Sequence, residues 1–506
     1  MSNKNLITLS KTDYLLYRDC KRNAWMKIHK PDIYSKFPPS EFDTSLMESG
    51  YDVEIIARQL FPNGILIEEY GAEGKKVTQE HLVKKDLVLF QPVFILDNFQ
   101  VKVDVLKFNP KTNDYSIYEI KSKNEIDQKT NPYDLAFQVN LLRKCGLKIE
   151  SINLIHLNKE YIRLGDLNVN LLFKINDLTA EINGLCEEVA IDMEQALNYL
   201  SQETIPNGFC SCIYRGRSNH CTTFSVSNPK IPEYSVHDIT RIGSSKAKLA
   251  ELIDSKIFEI DKVPLHIKLS VAQQNQVNAY KLGKTILSNT DIVRELKSLE
   301  YPLYFLDYET FPSAIPKFDG FSPYMQIPFQ YSLHVLKSQD GELEHLEFIH
   351  LEPDDPTKHL VASLRKHIGE SGNIVVWYKN FECAVHNKIA ERIPEQKLFM
   401  ESLNNRVYDL MDIFSKQYYV HKEFRGSSSI KNVLPVLIPE LSYKELVIQE
   451  GTAAFLRWNE LITGNLNENE KEEIIKNLKI YCGRDSLAMY KIWKHLYLAS
   501  PKNPLH

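Results

Sequence analysis

The chain has 506 residues, a formal net charge of −5, and is 43% hydrophobic and 25% charged. That length is too great for one ordinary domain and calls for about two or three, with apolar content typical of globular cores. The slight acidity excludes a global basic field that would coat nucleic acid indiscriminately, although carboxylates gathered around divalent metal give the same balance. No run of about 18 apolar residues occurs, so no membrane helix is expected. The opening "MSNKNLITLSKTDYLLYRDC" is too polar for a secretory leader, and a cytoplasmic protein is the expectation.

In chain order, residues 10–30 predict a helix, with Ser10 as N-cap and Asp13 three positions later. Residues 86–123 predict strands: "DLVLFQPVFI", the turn at Asp97-Asn98, "FQVKVDVLKF", the turn "NPKTND" and "YSIYEIKSK". A helix near 133–145, the strand "INLIHL" and long helices over roughly 170–202 follow. A stretch rich in Pro, Ser, Asn and Cys, "IPNGFCSCIYRGRSNHCTTFSVSNPKIPEYS", closes a first domain of residues 1–225. Residues 226–300 read as a charged helical linker. Within it "DITRIGSSKAKLAEL" has the pattern of a hairpin whose glycine turn can touch a phosphate backbone, although a plain helical linker is the commoner reading. From 301 to 506, strands ("PLYFLDYETF", "FQYSLHVL", "LEFIHLE", "NIVVWYKNF") precede helices, as in an α/β domain.

Two sets of carboxylates stand out. In "VKVDVLKF" strand alternation turns Asp104 away from Val101, Val103 and Val105, and in "IYEIKSK" it puts Glu119 and Lys121 on one face. A short antiparallel hairpin would bring the three together. Two carboxylates hold Mg²⁺ or Mn²⁺, and a lysine beside them steadies charge developing on phosphate. The same residues also suit a plain cross-strand ion pair. Further on, Asp307 and Glu309 lie two apart on a strand and share a face. Phosphodiester hydrolysis with two metals about 4 Å apart needs more carboxylates. Glu382 in "VVWYKNFEC" and Asp485 in "YCGRDSLAMYKI" supply them, with Tyr481 one helical turn before Asp485. A tyrosine there can hydrogen-bond an attacking water.

In a reducing compartment cysteines are thiols or metal ligands. Cys145, Cys186, Cys383 and Cys482 are scattered, whereas Cys210, Cys212 and Cys221 cluster. The chain has no G-x-x-x-x-G-K-[ST] and no G-x-S-x-G, which excludes a P-loop motor and a serine-hydrolase elbow. His334, His345 and His350 read as packing or surface residues, and the aromatics of "FSPYMQIPFQYSLHVL" as core rather than a base-stacking platform.

The first set resembles the RecB type of PD-(D/E)XK nuclease. Asp104 and Glu119-Ile120-Lys121 match its core motif, and Gln138 in "YDLAFQVNLL" matches its helix glutamine; "SGYDVEIIARQLFPNG" is similar to its upstream helix. Glu54 stands where relatives carry a histidine ligand, and Leu142 where they often carry tyrosine. A subset of these nucleases binds a [4Fe–4S] cluster through one early and three late cysteines, and Cys20 with Cys210, Cys212 and Cys221 bracket the core in that way. The spacing C-x-C-x₈-C departs from the usual one, so zinc and unmetallated thiols stay open. The second set, D-x-E, N-F-E and Y-x₃-D, resembles the RNase H-like DEDD 3′–5′ exonucleases of the tyrosine subclass (DEDDy), with Glu382 in place of aspartate; Asp409 resembles a supporting residue and Lys431 either a phosphate contact or a plain surface lysine. As a whole the chain is similar to a bacterial family of unknown function that joins the two modules.

The resemblance implies a PD-(D/E)XK restriction-endonuclease-like domain followed by an RNase H-like domain, both α/β. It implies metal ligation by Asp104, Glu119, Asp307, Glu309, Glu382 and Asp485, with Lys121, Gln138 and Tyr481 assisting. It further implies a [4Fe–4S] cluster, Mg²⁺ or Mn²⁺, and DNA as substrate. A catalytically retired nucleic-acid-binding scaffold and an RNA-processing exonuclease are the alternatives.

Overall fold

The computed structural model describes residues 7–499, a mixed α/β chain that divides into two compact units. The first comprises Met1–Ile231 with Ser313–Tyr324, the second Pro232–Pro312 with Met325–His506. Residues 232–300, read from sequence as a linker, therefore group with the second unit. Among the described residues no helix is long and apolar enough to cross a membrane.

In the first unit, β1 (Leu9–Ser10) leads into α1 (Lys11–Asp19), α2 (Lys21–His29) and α3 (Glu41–Ala57). The expected helix over 10–30 is thus two helices. Ser10 and Asp13 form a capping box at the start of the first, and Cys20 leaves helical geometry at φ −152°, ψ 105°. Next come β2 (Ile65–Leu66), α4 (Gly71–Lys84), β3 (Val88–Phe90), β4 (Val93–Leu96), β5 (Phe99–Lys102), β6 (Val105–Asn109) and β7 (Asp114–Lys121). Then follow α5 (Asn131–Lys144), β8 (Ile149–Leu157), β9 (Phe173–Asp177) and α6 (Thr179–Leu200). Residues 173–177, expected within a helix, are an edge strand paired with β8, where Phe173 and Ile175 alternate with polar residues.

A six-stranded sheet runs in the order β2-β3-β6-β7-β8-β9, and a three-stranded one in the order β1-β5-β4. The β4–β5 hairpin turns at Asp97, whose φ of 53° suits a tight hairpin turn. β7 and β8 are parallel and connected through α5, whose Leu135, Phe137, Val139, Leu141 and Leu142 are fully buried. Leu142 is core, with no surface to offer a ligand.

The second unit contains α7 (Lys246–Asp254), α8 (Val271–Leu282), β10 (Ile286–Leu287) and α9 (Asn289–Lys297). Its main sheet uses β11 (Leu303–Pro312), β12 (Gln326–Leu336), β13 (Leu343–Ile349), β14 (Asn373–Val376) and β15 (Val407–Asp409) in the order β13-β12-β11-β14-β15. Around it lie α10 (Thr357–His367), α11 (Lys379–Arg392) and α12 (Lys397–Asn405). The short β16 (Tyr419–Val420) pairs with β10, and α13 (Ile430–Leu437), α14 (Gly451–Thr463) and α15 (Glu468–Ala499) complete the unit.

Strand alternation on β11 positions the second carboxylate set. Tyr304, Leu306 and Tyr308 enter the core beside α10–α12. The opposite face carries Phe305, Asp307 and Glu309, with Phe305 meeting Tyr490 and Trp493 of α15. The strand therefore presents its acids to α15, which carries Tyr481 and Asp485. Ser486 on that helix bonds Ser332 at 2.7 Å and His334 at 2.8 Å, and Ser332 also meets His345 at 2.9 Å. Those histidines anchor α15 to β12 and β13, and burial lowers the His334 pKa to about 3, so it packs as a neutral ring.

Candidate metal centres

Cys20, Cys210, Cys212 and Cys221 are all buried, and their sulfurs lie within 4.8 Å of one another. Cys20 caps α1, and the other three come from the turns at 210–221. Cys210 and Cys212 approach to 3.1 Å and Cys212 and Cys20 to 4.0 Å. Asn228 donates to the Cys210 sulfur at 3.1 Å and the Cys221 backbone N–H points at the Cys212 sulfur at 3.4 Å, contacts that suit thiolates. Hydrogen bonds from Cys210, Cys212 and Cys221 hold Cys20 well below an ordinary thiol. The set can bind a metal. At Zn–S distances of about 2.3 Å, tetrahedral ligand sulfurs sit about 3.8 Å apart; a cubane spreads them further. The spacing is nearer that of one four-coordinate ion than that of a cubane, with the 3.1 Å Cys210–Cys212 approach tighter than either.

The structure brings Asp104, Glu119, Lys121 and Gln138 together. Asp104 follows β5 and accepts from the Ile120 backbone N–H at 2.7 Å, which places it beside Glu119 on β7. Glu119 is 2% exposed and receives Lys121 at 2.6 Å and Gln138 at 2.7 Å. Three further participants carried no motif. Lys11, the first residue of α1, donates to both Glu119 oxygens at 2.9 and 3.0 Å. Asp134 on α5 takes Lys121 at 2.8 Å and Gln138 at 3.0 Å. Gln91, in the left-handed region at φ 57°, reaches Asp104 at 3.2 Å and also contacts Glu54. Glu54 itself pairs with Arg58 at 2.6 Å.

Charge in this centre is largely matched, with Lys11, Lys121 and Arg58 set against Asp104, Glu119, Asp134 and Glu54. Burial alone would raise Glu119, yet the two lysines hold it well below the usual carboxylate range. Among the described residues Asp104 is in no ion pair: burial, then the Glu119 charge, lifts its pKa to about 7 against the weaker pull of Lys11 and Lys121.

The second centre is different in kind. Asp307, Glu309, Glu382, Tyr481 and Asp485 line one cavity of about 300 Å³, together with Lys431 and Trp377. Glu382 is 2% exposed and Asp485 9%. Among the described residues none of the four acids is in an ion pair, and Glu382 Oε2 is buried without a hydrogen-bond partner. Burial raises Asp307, Glu309 and Glu382 far above the carboxylate range, and neighbouring acids add to it. Asp485, which accepts from the Tyr443 hydroxyl, rises to about 6. Four desolvated carboxylates in no ion pair are compensated either by protons or by cations. Lys431 donates to the Gln449 carbonyl at 2.9 Å, and its charge, with that of Arg484 at Asp485, offsets the rise of Glu309 and Asp485 only in part.

Asp409, at the end of β15, supports this centre from behind. It accepts from the backbone N–H groups of Tyr378 at 3.0 Å and Lys379 at 2.8 Å, capping the helix that carries Glu382. Tyr378 has φ 80° and α11 has no side-chain cap of its own. Cys482, read as a scattered thiol, also sits here, its sulfur 3.9 Å from an Asp307 oxygen. Neither Cys482 nor Tyr443 had a sequence signal beyond its neighbours.

Residues 304–429, which include Asp307, Glu309, Glu382 and Asp409, match a family described as "Domain of unknown function (DUF2779)". An uncharacterised protein of Ureaplasma parvum is 24% identical over 361 residues, 66% of this chain and 51% of that protein. An uncharacterised protein of Mycoplasma genitalium is 29% identical over 218 residues, 40% of this chain and 33% of the relative. Its Mycoplasma pneumoniae homologue is 26% identical over 298 residues, 51% of this chain and 44% of the relative. The chain spans about half the length of these relatives, or less.

Proposed function

We propose that the chain is a metal-dependent nuclease acting on DNA, with a 3′–5′ exonuclease centre at Asp307, Glu309, Glu382 and Asp485 and a RecB-like nuclease centre at Asp104 and Glu119. The observation that carries this reading is the meeting of four desolvated carboxylates and a tyrosine around one cavity, with none of the four acids in an ion pair among the described residues. Mg²⁺ or Mn²⁺ suits that donor set, being a hard cation taken by carboxylate oxygens. When bound, two such ions supply an activated water and offset charge at the attacking and leaving oxygens.

The chain's own residues do the rest. Tyr481 lines the cavity one turn before Asp485, and burial keeps its hydroxyl protonated, so it donates to and orients an attacking water. Asp409 fixes the start of α11 and with it the Glu382 carboxylate. In the first centre Asp104 and Glu119 are the oxygen donors, and Lys121 stands at Glu119 where it can steady charge on a phosphate. Gln138 bridges Glu119 and Asp134 and fixes the carboxylate that Lys121 serves.

The four cysteines hold a metal centre that ties α1 to the 210–221 turns. The family resemblance favours a [4Fe–4S] cluster, whereas the sulfur spacing is nearer that of a single zinc-like ion. Metal analysis with the visible spectrum of anaerobically purified protein separates the two.

The deciding experiment incubates 5′-labelled single-stranded DNA with Mn²⁺ and either wild type or Asp307→Ala. A ladder shortening from the 3′ end, absent in the variant, supports the exonuclease; endonucleolytic or residual cleavage in the variant belongs to the first centre. No cleavage of DNA with any divalent metal overturns the reading. Cleavage of RNA alone would then assign RNA processing, and binding without cleavage a scaffold.

A further inference from the structure

Beside the carboxylate cavity the second unit holds another, of about 450 Å³, between residues 240–241, the start of α8 and the segment 414–428. Its wall contains no carboxylate, and Arg241 is its one permanently charged side chain. Among the described residues the Arg241 guanidinium is in no ion pair and no hydrogen bond, its backbone carbonyl alone accepting from Ser244 N–H at 3.1 Å, and the residue is exposed.

The backbone that presents Arg241 is firmly built. Thr240 N–H and Oγ1 donate to the buried Gln276 at 2.8 and 3.0 Å, Oγ1 also reaches the Gly426 carbonyl at 2.8 Å, and Gln273 donates to the Thr240 carbonyl at 2.9 Å. With its neighbour so fixed, Arg241 adopts φ 55°. That left-handed geometry costs a non-glycine residue about 1 kcal/mol and persists only where the surroundings enforce it. Gly426 permits the close approach: a Cβ there would come within 2.5 Å of the Gln276 amide.

The two cavities share a partition. Ser427 and Ser428 line this one, while Ile430 and Lys431 line the carboxylate cavity. Trp377 also faces the carboxylates; its indole N–H donates to the Ser428 carbonyl at 3.1 Å and its ring stacks on Phe414 at 5.5 Å, on the wall of the Arg241 cavity. One side chain and a stretch of three residues thus separate an acidic metal centre from an acid-free chamber with an unpaired guanidinium. A polymer with one phosphodiester at the first and its next at the second meets alternating demands, metal then arginine. Half-buried Tyr419 adds an aromatic wall of the kind on which unpaired bases stack.

We infer that this chamber seats the nucleotide adjoining the one being cleaved on a single nucleic-acid strand, with Arg241 gripping the phosphodiester between them. This rests on the nuclease reading above, and its test separates the two. Fluorescein-labelled oligo-dT would be titrated by anisotropy in EDTA against wild type, Arg241→Lys and Arg241→Gly over a range of salt. Loss of one phosphate contact lowers the slope of log affinity on log salt by about 0.7, about fivefold in affinity near 0.1 M salt. Arg241→Gly should show that loss and Arg241→Lys should not. The glycine variant accepts φ 55° without strain and should melt no lower than wild type, so a binding defect is not a folding defect. An unchanged slope in Arg241→Gly, or blunt duplex bound as well as single strand, overturns the inference. Oligo-U in parallel reports whether RNA shares the grip. If Asp307-dependent digestion persists while the slope is unchanged, this inference fails alone; if the slope falls and no divalent metal supports cleavage, the nuclease reading fails and the binding site stands.

Discussion

Replacing Asp485 by asparagine should stabilise the metal-free protein while abolishing cleavage by the second centre. Burial moves the Asp485 carboxyl from 3.8 to about 6. An acid with a raised folded-state value favours the fold below its unfolded value, and that advantage is lost as pH rises through the folded value. The gap between 3.8 and about 6 corresponds to about 3 kcal/mol opposing folding above about pH 6, and to nothing below about pH 4. Asparagine carries no charge at any pH and can still accept from Tyr443. In EDTA near pH 8 the variant should therefore gain about 3 kcal/mol, or roughly 6–12 °C in melting temperature for a unit of this size. Near pH 4 wild type and variant should melt together, and saturating Mn²⁺ near pH 8 should raise wild type far more than the variant. Calorimetry of the full chain near pH 8 with and without Mn²⁺, and near pH 4, gives all six values. A variant that melts below wild type in EDTA near pH 8, or whose advantage is the same near pH 4, would refute a centre built on uncompensated carboxylate charge.

Other expectations follow the same contacts. Lys11→Met removes two charge-assisted hydrogen bonds from Glu119 while Lys121 and Gln138 remain, which should cost about 2 kcal/mol in denaturant titration, a loss Mn²⁺ should partly restore. Should Mn²⁺ leave that deficit untouched, the first centre does not take divalent metal at Glu119. Asp409→Ala uncaps α11 and should cost about 1–2 kcal/mol together with a drop in 3′-end trimming; normal trimming would mean Glu382 needs no support from behind. Cys20→Ser should lower the stoichiometric metal content of purified protein, measured by plasma mass spectrometry, and unchanged content would place any bound metal elsewhere.

Much of the architecture was legible because burial and alternation leave marks in sequence. The hydrophobic strand carrying Asp307-Tyr308-Glu309, which runs on to Pro312, and the E-x-K of β7 follow directly from period-two patterning. The runs "DLVLFQPVFI" and "FQVKVDVLKF", each read as one strand, are each two strands in different sheets, the second breaking at Val103-Asp104; two further element predictions failed for identifiable reasons. The helix over 10–30 breaks at Cys20, which sits in the four-cysteine cluster, a tertiary position that local propensity does not carry. The segment 173–177 pairs as an edge strand, where the partner strand decides what five residues become. In the centres, residues with a motif were visible, and those recruited through space were not. Lys11 lies 108 positions from Glu119, and Tyr443 is 42 from Asp485. A lone lysine or tyrosine gives no periodic signal, and only the fold reveals whom it faces.

The nine residues of α1 have a mechanical side. Its first residue is Lys11, bonded to both oxygens of Glu119, and the residue that ends it is Cys20, one of the four buried sulfurs. A helix of that length is a stiff rod of about 13 Å. Whatever the thiolates hold therefore pins one end of a lever whose other end rests on a carboxylate of the first centre. With the metal proposed for these sulfurs removed, the helix is expected to lose its anchor at Cys20 while Lys11 keeps only its bonds to Glu119. A single helix thus joins the four-cysteine set to a carboxylate of the first centre.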